Sequence, residues 1–127
     1  MNNTVLLVED DRMLAEMYEE KLSMEGYKVI QAEDGKIALK KAKKQPNVIL
    51  LDIMMPGLNG FEVLKELKQD METTSIPVIV LTNVGSESAD SDQDLALSLG
   101  AECYLVKSYH TPDEVVSKIN TILNRTK

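Results

Sequence analysis

The stretch Val48-Ile49-Leu50-Leu51-Asp52 is an unbroken aliphatic run that ends in a carboxylate. Short runs of β-branched and aliphatic residues are typical of strands buried on both faces of a parallel sheet. Three more runs also lead into polar groups: Val5-Leu6-Leu7-Val8 into Glu9-Asp10-Asp11, Val78-Ile79-Val80-Leu81 into Thr82, and Tyr104-Leu105-Val106 into Lys107. If the four strands are neighbours, their carboxyl ends share one edge, where open α/β sheets bind ligands. The sequence therefore predicts a site that combines acidic, hydroxyl and ammonium groups.

Strand and helix patterns alternate along the whole chain and predict five βα units. The strands are expected at about 4–9, 27–32, 47–52, 78–82 and 102–106, and the first two helices at 12–25 and 35–44. A third helix follows the turn at 56–60. The first half of a fourth helix lies in the polar stretch 85–94, which leads into Leu95, Ala96 and Leu99, with Gly100 as its cap. Right-handed crossovers between such units give an α/β doubly wound three-layer sandwich.

The fifth helix has the clearest start signal in the chain. Thr111 stands at the N-cap position, Pro112 at the first helical position and Glu114 two residues later, which is the pattern of a capping box. The fourth helix is expected to be the weakest, because its first half is rich in serine and aspartate and has little apolar surface to bury.

Length and composition restrict the class of protein. The 127 residues fit one domain spanning 1–127, and the formal charge of −7 disfavours direct binding to nucleic acid. The sequence has neither an apolar stretch long enough to span a bilayer nor a signal-peptide pattern. The single cysteine, Cys103, excludes an internal disulfide and suits the reducing cytoplasm; we read it as an inert strand residue.

The acidic groups at the predicted edge need a counter-charge. Glu9, Asp10, Asp11 and Asp52 bring up to four carboxylates together. Two carboxylates about 4 Å apart repel by roughly 4 kcal/mol at an effective dielectric constant near 20. Proton sharing would relieve this repulsion, but Mg²⁺ fits better, because it takes oxygen ligands from few protein groups and retains water. Asp11 has a second interpretation, as the N-cap of the first helix.

Several motifs, taken together and in order, resemble those of response-regulator receiver domains of two-component phosphorelays. They are Val8-Glu9-Asp10-Asp11, Leu51-Asp52-Ile53-Met54-Met55-Pro56-Gly57, Gly60, Thr82, and Gly100-Ala101 ahead of Tyr104-Leu105-Val106-Lys107. The resemblance covers essentially the whole chain. It implies a flavodoxin-like five-stranded parallel sheet of order 2-1-3-4-5, and a sensor histidine kinase or histidine phosphotransfer protein as phosphodonor.

The resemblance also implies a role for each site residue. Asp52 would accept the phosphoryl group, and Asp10, Asp52 and the backbone carbonyl of Met54 would bind Mg²⁺, with Glu9 holding a metal-bound water. Thr82 and Lys107 would hold the phosphoryl oxygens. Tyr104, which by its pattern alone could be a packing residue, would be the aromatic switch coupled to Thr82. The domain would act on no substrate besides itself, and its output partner stays unassigned.

Two positions depart from the pattern of that family. Asn83 replaces the small residue that usually follows the switch threonine, and Ser108 replaces the proline that usually follows the lysine. A cis bond costs about 2.5–4 kcal/mol before serine and only about 0.5–1 kcal/mol before proline, so we predict a trans Lys107-Ser108 bond and a Lys107 that points less directly at Asp52. We also predict a long-lived phosphorylated form, because Asn83 shields the phosphorus and Met54 offers no group to orient water.

Three further features have open interpretations. Lys36, Lys40, Lys41, Lys43 and Lys44 form a basic cluster, which is either solvated and matched to a helix dipole or a docking patch. His110 is read as a solvated loop residue. Met13, Met17 and Met24 recur at helical spacing, as packing residues or as a surface on which a kinase helix docks.

The residues leave four functions to compare. The first is a stand-alone receiver, since only Asn124-Arg125-Thr126-Lys127 follow the last helix. The second is a Mg²⁺-dependent phosphatase of the haloacid-dehalogenase type, which would need an Asp where Met54 stands. The third is a flavodoxin-like cofactor binder, which would need a phosphate-binding loop after the first strand. The fourth is a degenerate receiver that only makes protein contacts, which the complete acidic set disfavours.

Overall fold

Five strands and five helices alternate along the chain in the predicted order. The structure is a computed structural model that describes residues 3–53, 59–82, 89–107 and 110–125. The strands are β1 (Thr4–Val8), β2 (Lys28–Ala32), β3 (Val48–Asp52), β4 (Val78–Thr82) and β5 (Cys103–Val106). The helices are α1 (Arg12–Met24), α2 (Gly35–Ala42), α3 (Gly60–Gln69), α4 (Ala89–Ser98) and α5 (Pro112–Arg125).

All pairings in the sheet are parallel, and the strand order is β2-β1-β3-β4-β5. The flavodoxin-like order predicted from the sequence is confirmed. Chain order reverses between β1 and β3, because β1 connects to the edge strand β2 and β3 connects to β4 on the other side. Such a switch point opens a crevice at the carboxyl ends of the two strands, and the residues that follow β1 and end β3 meet there.

Helices cover both faces of the sheet, so each aliphatic run contributes to two cores. Alternate residues of β1 face opposite layers: Leu6 and Val8 pack with α2, α3 and α4, whereas Val5 and Leu7 pack with α1 and α5. Strands β3 and β4 are buried along their whole length. This burial explains why their sequences are continuous aliphatic runs and show no polar alternation.

Local signals set most element boundaries, and the strands and the first two helices begin and end within two residues of the predicted positions. Helix α2 ends at Ala42, two residues early, since the chain turns through Lys43 into Gln45, whose φ of 62° is left-handed. Helix α4 begins at Ala89, inside the polar stretch. In that helix Ala96 is fully buried, but Leu95 is 43% exposed, which agrees with the expectation that this helix has little apolar surface to pack.

The predicted caps of α1 and α5 are both confirmed. The Asp11 carboxylate accepts hydrogen bonds from the backbone N–H groups of Met13 and Leu14, at 3.0 and 3.3 Å. At α5, the backbone N–H of Glu114 donates to the Thr111 hydroxyl, and the backbone N–H of Thr111 donates to the Glu114 carboxylate, both at 3.2 Å. Within the described ranges, no helix has the length and apolarity needed to cross a bilayer.

Candidate functional site

The carboxyl edge of the sheet brings the predicted polar residues together. Glu9 and Asp10 directly follow β1, Asp52 is the last residue of β3, and Thr82 is the last residue of β4. Lys107 directly follows β5, and its backbone N–H donates to the Thr82 carbonyl at 2.7 Å. Each of these residues therefore lies at the carboxyl end of a strand or within two residues of it.

Three carboxylates converge at this edge. One oxygen from each of Glu9, Asp10 and Asp52 lies within 4.8 Å of the others. Glu9 and Asp52 are 5% and 3% exposed, whereas Asp10 is open to solvent. Oxygen ligands from two buried groups and one accessible group form a donor set that suits a hard divalent cation with room for retained water.

Lys107 is the basic partner of this cluster. Its ammonium nitrogen lies 2.7 Å from Oε1 of Glu9 and 3.4 Å from Oδ2 of Asp52. Burial lowers the pKa of Lys107, but the hydrogen bond to Glu9 and the charge of Asp52 outweigh burial, so its pKa lies above the ordinary value. The expectation that Lys107 points less directly at Asp52 is wrong in this structure, since the ammonium already reaches both buried carboxylates.

The Glu9 carboxylate accepts hydrogen bonds from Lys107 and from the backbone of the residue that caps α1. Its Oε1 accepts from Lys107, and its Oε2 accepts from the backbone N–H of Asp11 at 3.2 Å. Burial raises the pKa of the Glu9 carboxyl, the neighbouring Asp52 raises it further, and Lys107 only partly offsets them. Because the Asp11 carboxylate caps α1 and lies outside the three-carboxylate group, the capping interpretation of Asp11 holds.

Gly60 fixes where α3 begins relative to Asp52. A Cβ atom at Gly60 would lie 2.3 Å from the Cα of Ile53, the residue after Asp52, which no real side chain tolerates. The backbone N–H of Gly60 donates to the Ile53 carbonyl at 3.3 Å. This close approach packs the start of α3 directly against Ile53, so the backbone geometry beside the site requires glycine at position 60.

Tyr104 and Thr82 lie on adjacent strands, where Thr82 pairs with Val106 and Tyr104 pairs with Val80. Thr82 is fully buried, and Tyr104 is 8% exposed and packs in the core layer that includes α3 and α4. The Tyr104 hydroxyl oxygen is buried without a hydrogen-bond partner among the described residues. A buried hydroxyl without a hydrogen bond is costly, so the Tyr104 hydroxyl contributes no stability from the described contacts.

The structure adds one residue that the sequence did not single out. Tyr18 of α1 is buried beneath the site; burial raises its pKa, and the charges of Lys107, Glu9 and Asp52 also act on it. Its apolar spacing along α1 made it look like an ordinary core residue. His110 is half-buried, with Nδ1 3.2 Å from the Val106 carbonyl oxygen, so it lies before α5 as predicted but is less solvated than a free loop residue.

Three expectations fall on positions outside the described residues. They concern the Met54 carbonyl as a metal ligand, Asn83 as a shield of the phosphorus, and the trans Lys107-Ser108 bond, which involves Ser108. The remaining site residues named from the sequence all lie at or next to the carboxyl edge described above. Cys103 is a half-buried residue of the edge strand β5 that packs against the α1 and α5 layer.

A match to a protein-family model identifies the kind of domain that carries this site. Residues 5–120 match the response regulator receiver domain, which is most of the chain. The chain belongs to this family. The motifs that carried the resemblance are thus confirmed as receiver motifs, and the site at the carboxyl edge is that of a two-component receiver domain.

Curated receiver-containing proteins and solved receiver structures are similar to this chain. The transcriptional regulatory protein CpxR of Escherichia coli is 45% identical over 124 residues, covering 98% of this chain and 50% of that protein. The alkaline phosphatase synthesis transcriptional regulatory protein PhoP of Bacillus subtilis is 38% identical over 128 residues, covering 100% of this chain and 51% of that protein. The chain thus spans about half the length of the curated relatives it matches.

Solved structures agree with this fold over nearly the whole chain. The receiver domain of the Francisella response regulator 1452 superposes with a TM-score of 0.87 at 32% identity, covering 99% of this chain and 100% of that chain. The chemotaxis protein CheY4 of Vibrio cholerae gives a TM-score of 0.85 at 30% identity, with 95% and 98% covered. The solved structures therefore support both the family assignment and the strand order of this chain.

Proposed function

We propose that Asp52 is the phosphoacceptor of this receiver domain. The observation that supports it is the combination of a 3% exposed carboxylate at the end of β3 with an ammonium 3.4 Å away and two further carboxylates beside it. Oδ of Asp52 attacks phosphorus, the P–N bond of a phosphohistidine breaks, and the imidazole leaves with the bonding electron pair. A new O–P bond forms, and the product is an aspartyl phosphate.

Asp10 and Asp52, with the Met54 backbone carbonyl, would hold Mg²⁺, and Glu9 would hold one of its water molecules. Their oxygens fit this ion, since the three carboxylates and the Lys107 ammonium leave a formal charge of −2 that a divalent cation neutralises. When bound, the cation supplies neutralisation of charge on the phosphoryl oxygens. The carboxylate cluster orients Asp52, so catalysis rests on positioning and on charge compensation, which suffices for a loose phosphoryl transition state.

Thr82 and Lys107 would bind the phosphoryl oxygens. The Lys107 ammonium would leave Glu9 and follow the new charge on Asp52, a movement that its long side chain permits. The phosphoryl group adds about −1.5 to −2 charge at neutral pH. The Thr82 hydroxyl would be drawn toward that charge, and the Tyr104 ring would change its packing beside Thr82, so that a partner surface changes.

Met54 argues against a haloacid-dehalogenase-type phosphatase, because that reaction needs an acid two residues after the nucleophile. We therefore propose that the domain catalyses only its own phosphorylation and dephosphorylation and acts in the cytoplasm on phosphoryl groups from a sensor histidine kinase or a phosphotransfer protein. The residues 1–127 would form one receiver domain. Because the relatives CpxR and PhoP are named as transcriptional regulatory proteins, we propose a transcriptional output for this protein.

The test is intact-mass spectrometry after incubation with phosphoramidate, a small donor with a P–N bond, in the presence of Mg²⁺. The wild type should gain one phosphoryl group, and EDTA should prevent this. Asp52→Asn should gain none. Asp11→Asn is the matched control, because it also removes a carboxylate near the site but keeps a capping side chain, and it should be phosphorylated like the wild type. Labelling of Asp52→Asn would show that another residue is the acceptor.

A further inference from the structure

The inner face of α4 carries a carboxylate near a buried tyrosine of β5. Among the side chains described in this helix, residues 92–98, only Asp92 and Ala96 are not exposed. The two residues lie four positions apart, so they share one face of the helix. Ala96 is fully buried and packs in the same core layer as Tyr104. Asp92 is therefore the polar residue on the face of α4 that is directed towards the core.

The Tyr104 hydroxyl is the group on β5 that lacks a partner. The residue is 8% exposed, and its hydroxyl oxygen has no hydrogen bond among the described residues. Burial raises the pKa of the Tyr104 hydroxyl above its ordinary value, and the negative charge of Asp92 raises it further. The carboxylate thus lies near enough to act on the hydroxyl electrostatically, although the two groups are not hydrogen-bonded in this structure. A short displacement of the helix or of the ring would join the donor to the acceptor.

Helix α4 has little apolar surface that resists such a displacement. Leu95 and Leu97 are each 43% exposed, and Ala96 is the fully buried residue among the described side chains of this helix. A helix that buries few apolar side chains is held only weakly in one position. By contrast, a hydrogen bond between a hydroxyl and a carboxylate is one of the stronger polar interactions in a protein. One new hydrogen bond is therefore enough to favour a shifted position of α4.

Tyr104 is connected to the phosphorylation site through β4. Val80 pairs with Tyr104 across the two strands, and both pack in the core layer that contains α4. Thr82 lies two residues after Val80, so it is on the same face of the sheet as Tyr104. A movement of Thr82 towards a phosphoryl group on Asp52 would therefore take place on the face of the sheet that Tyr104 and α4 occupy.

We propose that Asp92 is a positioning residue for the Tyr104 switch. In the phosphorylated domain its carboxylate accepts a hydrogen bond from the Tyr104 hydroxyl and holds α4 against β5. This inference rests on the phosphorylation of Asp52 proposed above, and it names the acceptor that the switch tyrosine takes. In the unphosphorylated domain the bond is absent. A bond that forms in only one of two states shifts the equilibrium towards that state, so Asp92 favours the phosphorylated form.

Asp92 has a second possible role that does not involve Tyr104. A carboxylate near the N-terminus of a helix interacts favourably with the helix dipole, and Asp92 is the fourth residue of α4. That role depends on the charge of Asp92 but not on the hydroxyl of Tyr104. A double-mutant cycle that combines changes at the two positions therefore separates the two roles.

The test uses the full chain with Asp92→Ala, with Tyr104→Phe and with both substitutions. Asp94→Ala is the matched control, because Asp94 is an exposed aspartate of the same helix and its removal changes the net charge equally. The probe is beryllofluoride with Mg²⁺, which binds a carboxylate in place of a phosphoryl group. The measured quantity is the apparent affinity for beryllofluoride, followed by the backbone amide resonances in NMR.

The proposal predicts that Asp92→Ala and Tyr104→Phe each weaken the apparent affinity about tenfold, as expected from the loss of a hydrogen bond to a charged acceptor. The double variant should bind no more weakly than either single variant, and Asp94→Ala should bind like the wild type. Losses that multiply in the double variant, an unchanged affinity of Asp92→Ala or an equal loss in Asp94→Ala would overturn the proposal. A wild type that does not bind beryllofluoride would instead contradict the phosphorylation of Asp52, so the two failures are distinguishable.

Urea unfolding of the wild type and the same three variants in EDTA gives a second measurement. The hydroxyl and the carboxylate are not bonded in the unphosphorylated domain, so the effects of the two substitutions on the free energy of unfolding should add. If the effects do not add, the hydrogen bond is already present before phosphorylation, and its proposed role in the switch is refuted.

Discussion

The ammonium nitrogen of Lys107 lies closer to Oε1 of Glu9, at 2.7 Å, than to Oδ2 of Asp52, at 3.4 Å. The lysine that would bind the phosphoryl group is therefore held mainly by an acidic residue of β1 rather than by the phosphoacceptor. Binding of a cation to the carboxylates and movement of Lys107 toward Asp52 are then linked, because both change the interactions that the Glu9 carboxylate makes. The following variants test this arrangement.

Lys107→Gln should destabilise the metal-free protein. Glu9 and Asp52 would remain buried without a positive partner, and removing one member of a buried ion pair costs about 3 kcal/mol. Urea unfolding in EDTA measures this loss, and Mg²⁺ should restore part of it. Lys21→Gln is the control, because its pair with Asp113 is exposed and should contribute less than about 1 kcal/mol. Similar losses in the two variants would contradict the central role of Lys107.

Asp10→Asn should have the opposite effect on the metal-free fold. It removes one of three crowded carboxylates and so relieves repulsion, with an expected gain of about 1 kcal/mol in the free energy of unfolding. The same variant should bind Mg²⁺ more weakly by isothermal titration calorimetry. Asp11→Asn should change neither quantity, since its side chain still caps α1. A lower melting temperature of metal-free Asp10→Asn would argue against the cluster.

Tyr104→Phe should stabilise the unphosphorylated protein by about 1 kcal/mol, because it removes a buried hydroxyl without a described partner and keeps the ring. Tyr27→Phe provides the contrast, since the Tyr27 hydroxyl donates to Asn120 and its loss should destabilise the fold. Urea unfolding of both variants measures the difference. Destabilisation by Tyr104→Phe would mean that the hydroxyl is already satisfied.

The Lys43–Asp70 pair should make stability depend on pH. The hydrogen bond from Lys43 holds the pKa of Asp70 below its ordinary value of 3.8. A lowered folded-state pKa adds stability above the unfolded value and loses it as the pH falls through the folded value. The difference in unfolding free energy between wild type and Lys43→Gln should be constant near neutral pH and shrink below about pH 4. The control Lys65→Gln should show no such trend.

The sequence predicted the fold because its signals were local and repeated. The aliphatic runs of β3 and β4, the capping box at Thr111 and the polar residue after each strand each have a direct physical reading. The position of Leu95 could not be predicted in the same way, because α4 buries little apolar surface and its rotation about its axis depends on packing against β5. The last residue of α2 was not predicted correctly, because it depends on the left-handed backbone conformation of Gln45, and a glutamine gives no sequence signal for that conformation.

The sequence predicted which residues form the candidate site, but it did not predict which of their side chains form ion pairs with each other. The strand ends predicted that Glu9, Asp52 and Lys107 would meet, since parallel strands share an edge. The preference of Lys107 for Glu9 over Asp52 depends on differences of less than 1 Å between side-chain atoms, which spacing alone does not determine. The sequence did not single out Tyr18, because a tyrosine at an apolar helical position looks like an ordinary core residue. Its position beneath the site is visible only in the structure.

Reductive trapping of the phosphorylated protein is the most direct measurement of the central claim. Borohydride reduces an aspartyl phosphate to homoserine, and peptide mass spectrometry then locates the modified residue. After incubation with phosphoramidate and Mg²⁺, we predict homoserine at position 52 and at no other aspartate, and none after incubation in EDTA. Homoserine at Asp10 or Asp11, or a phosphorylated protein that yields none, would contradict the assignment of Asp52 as the phosphoacceptor.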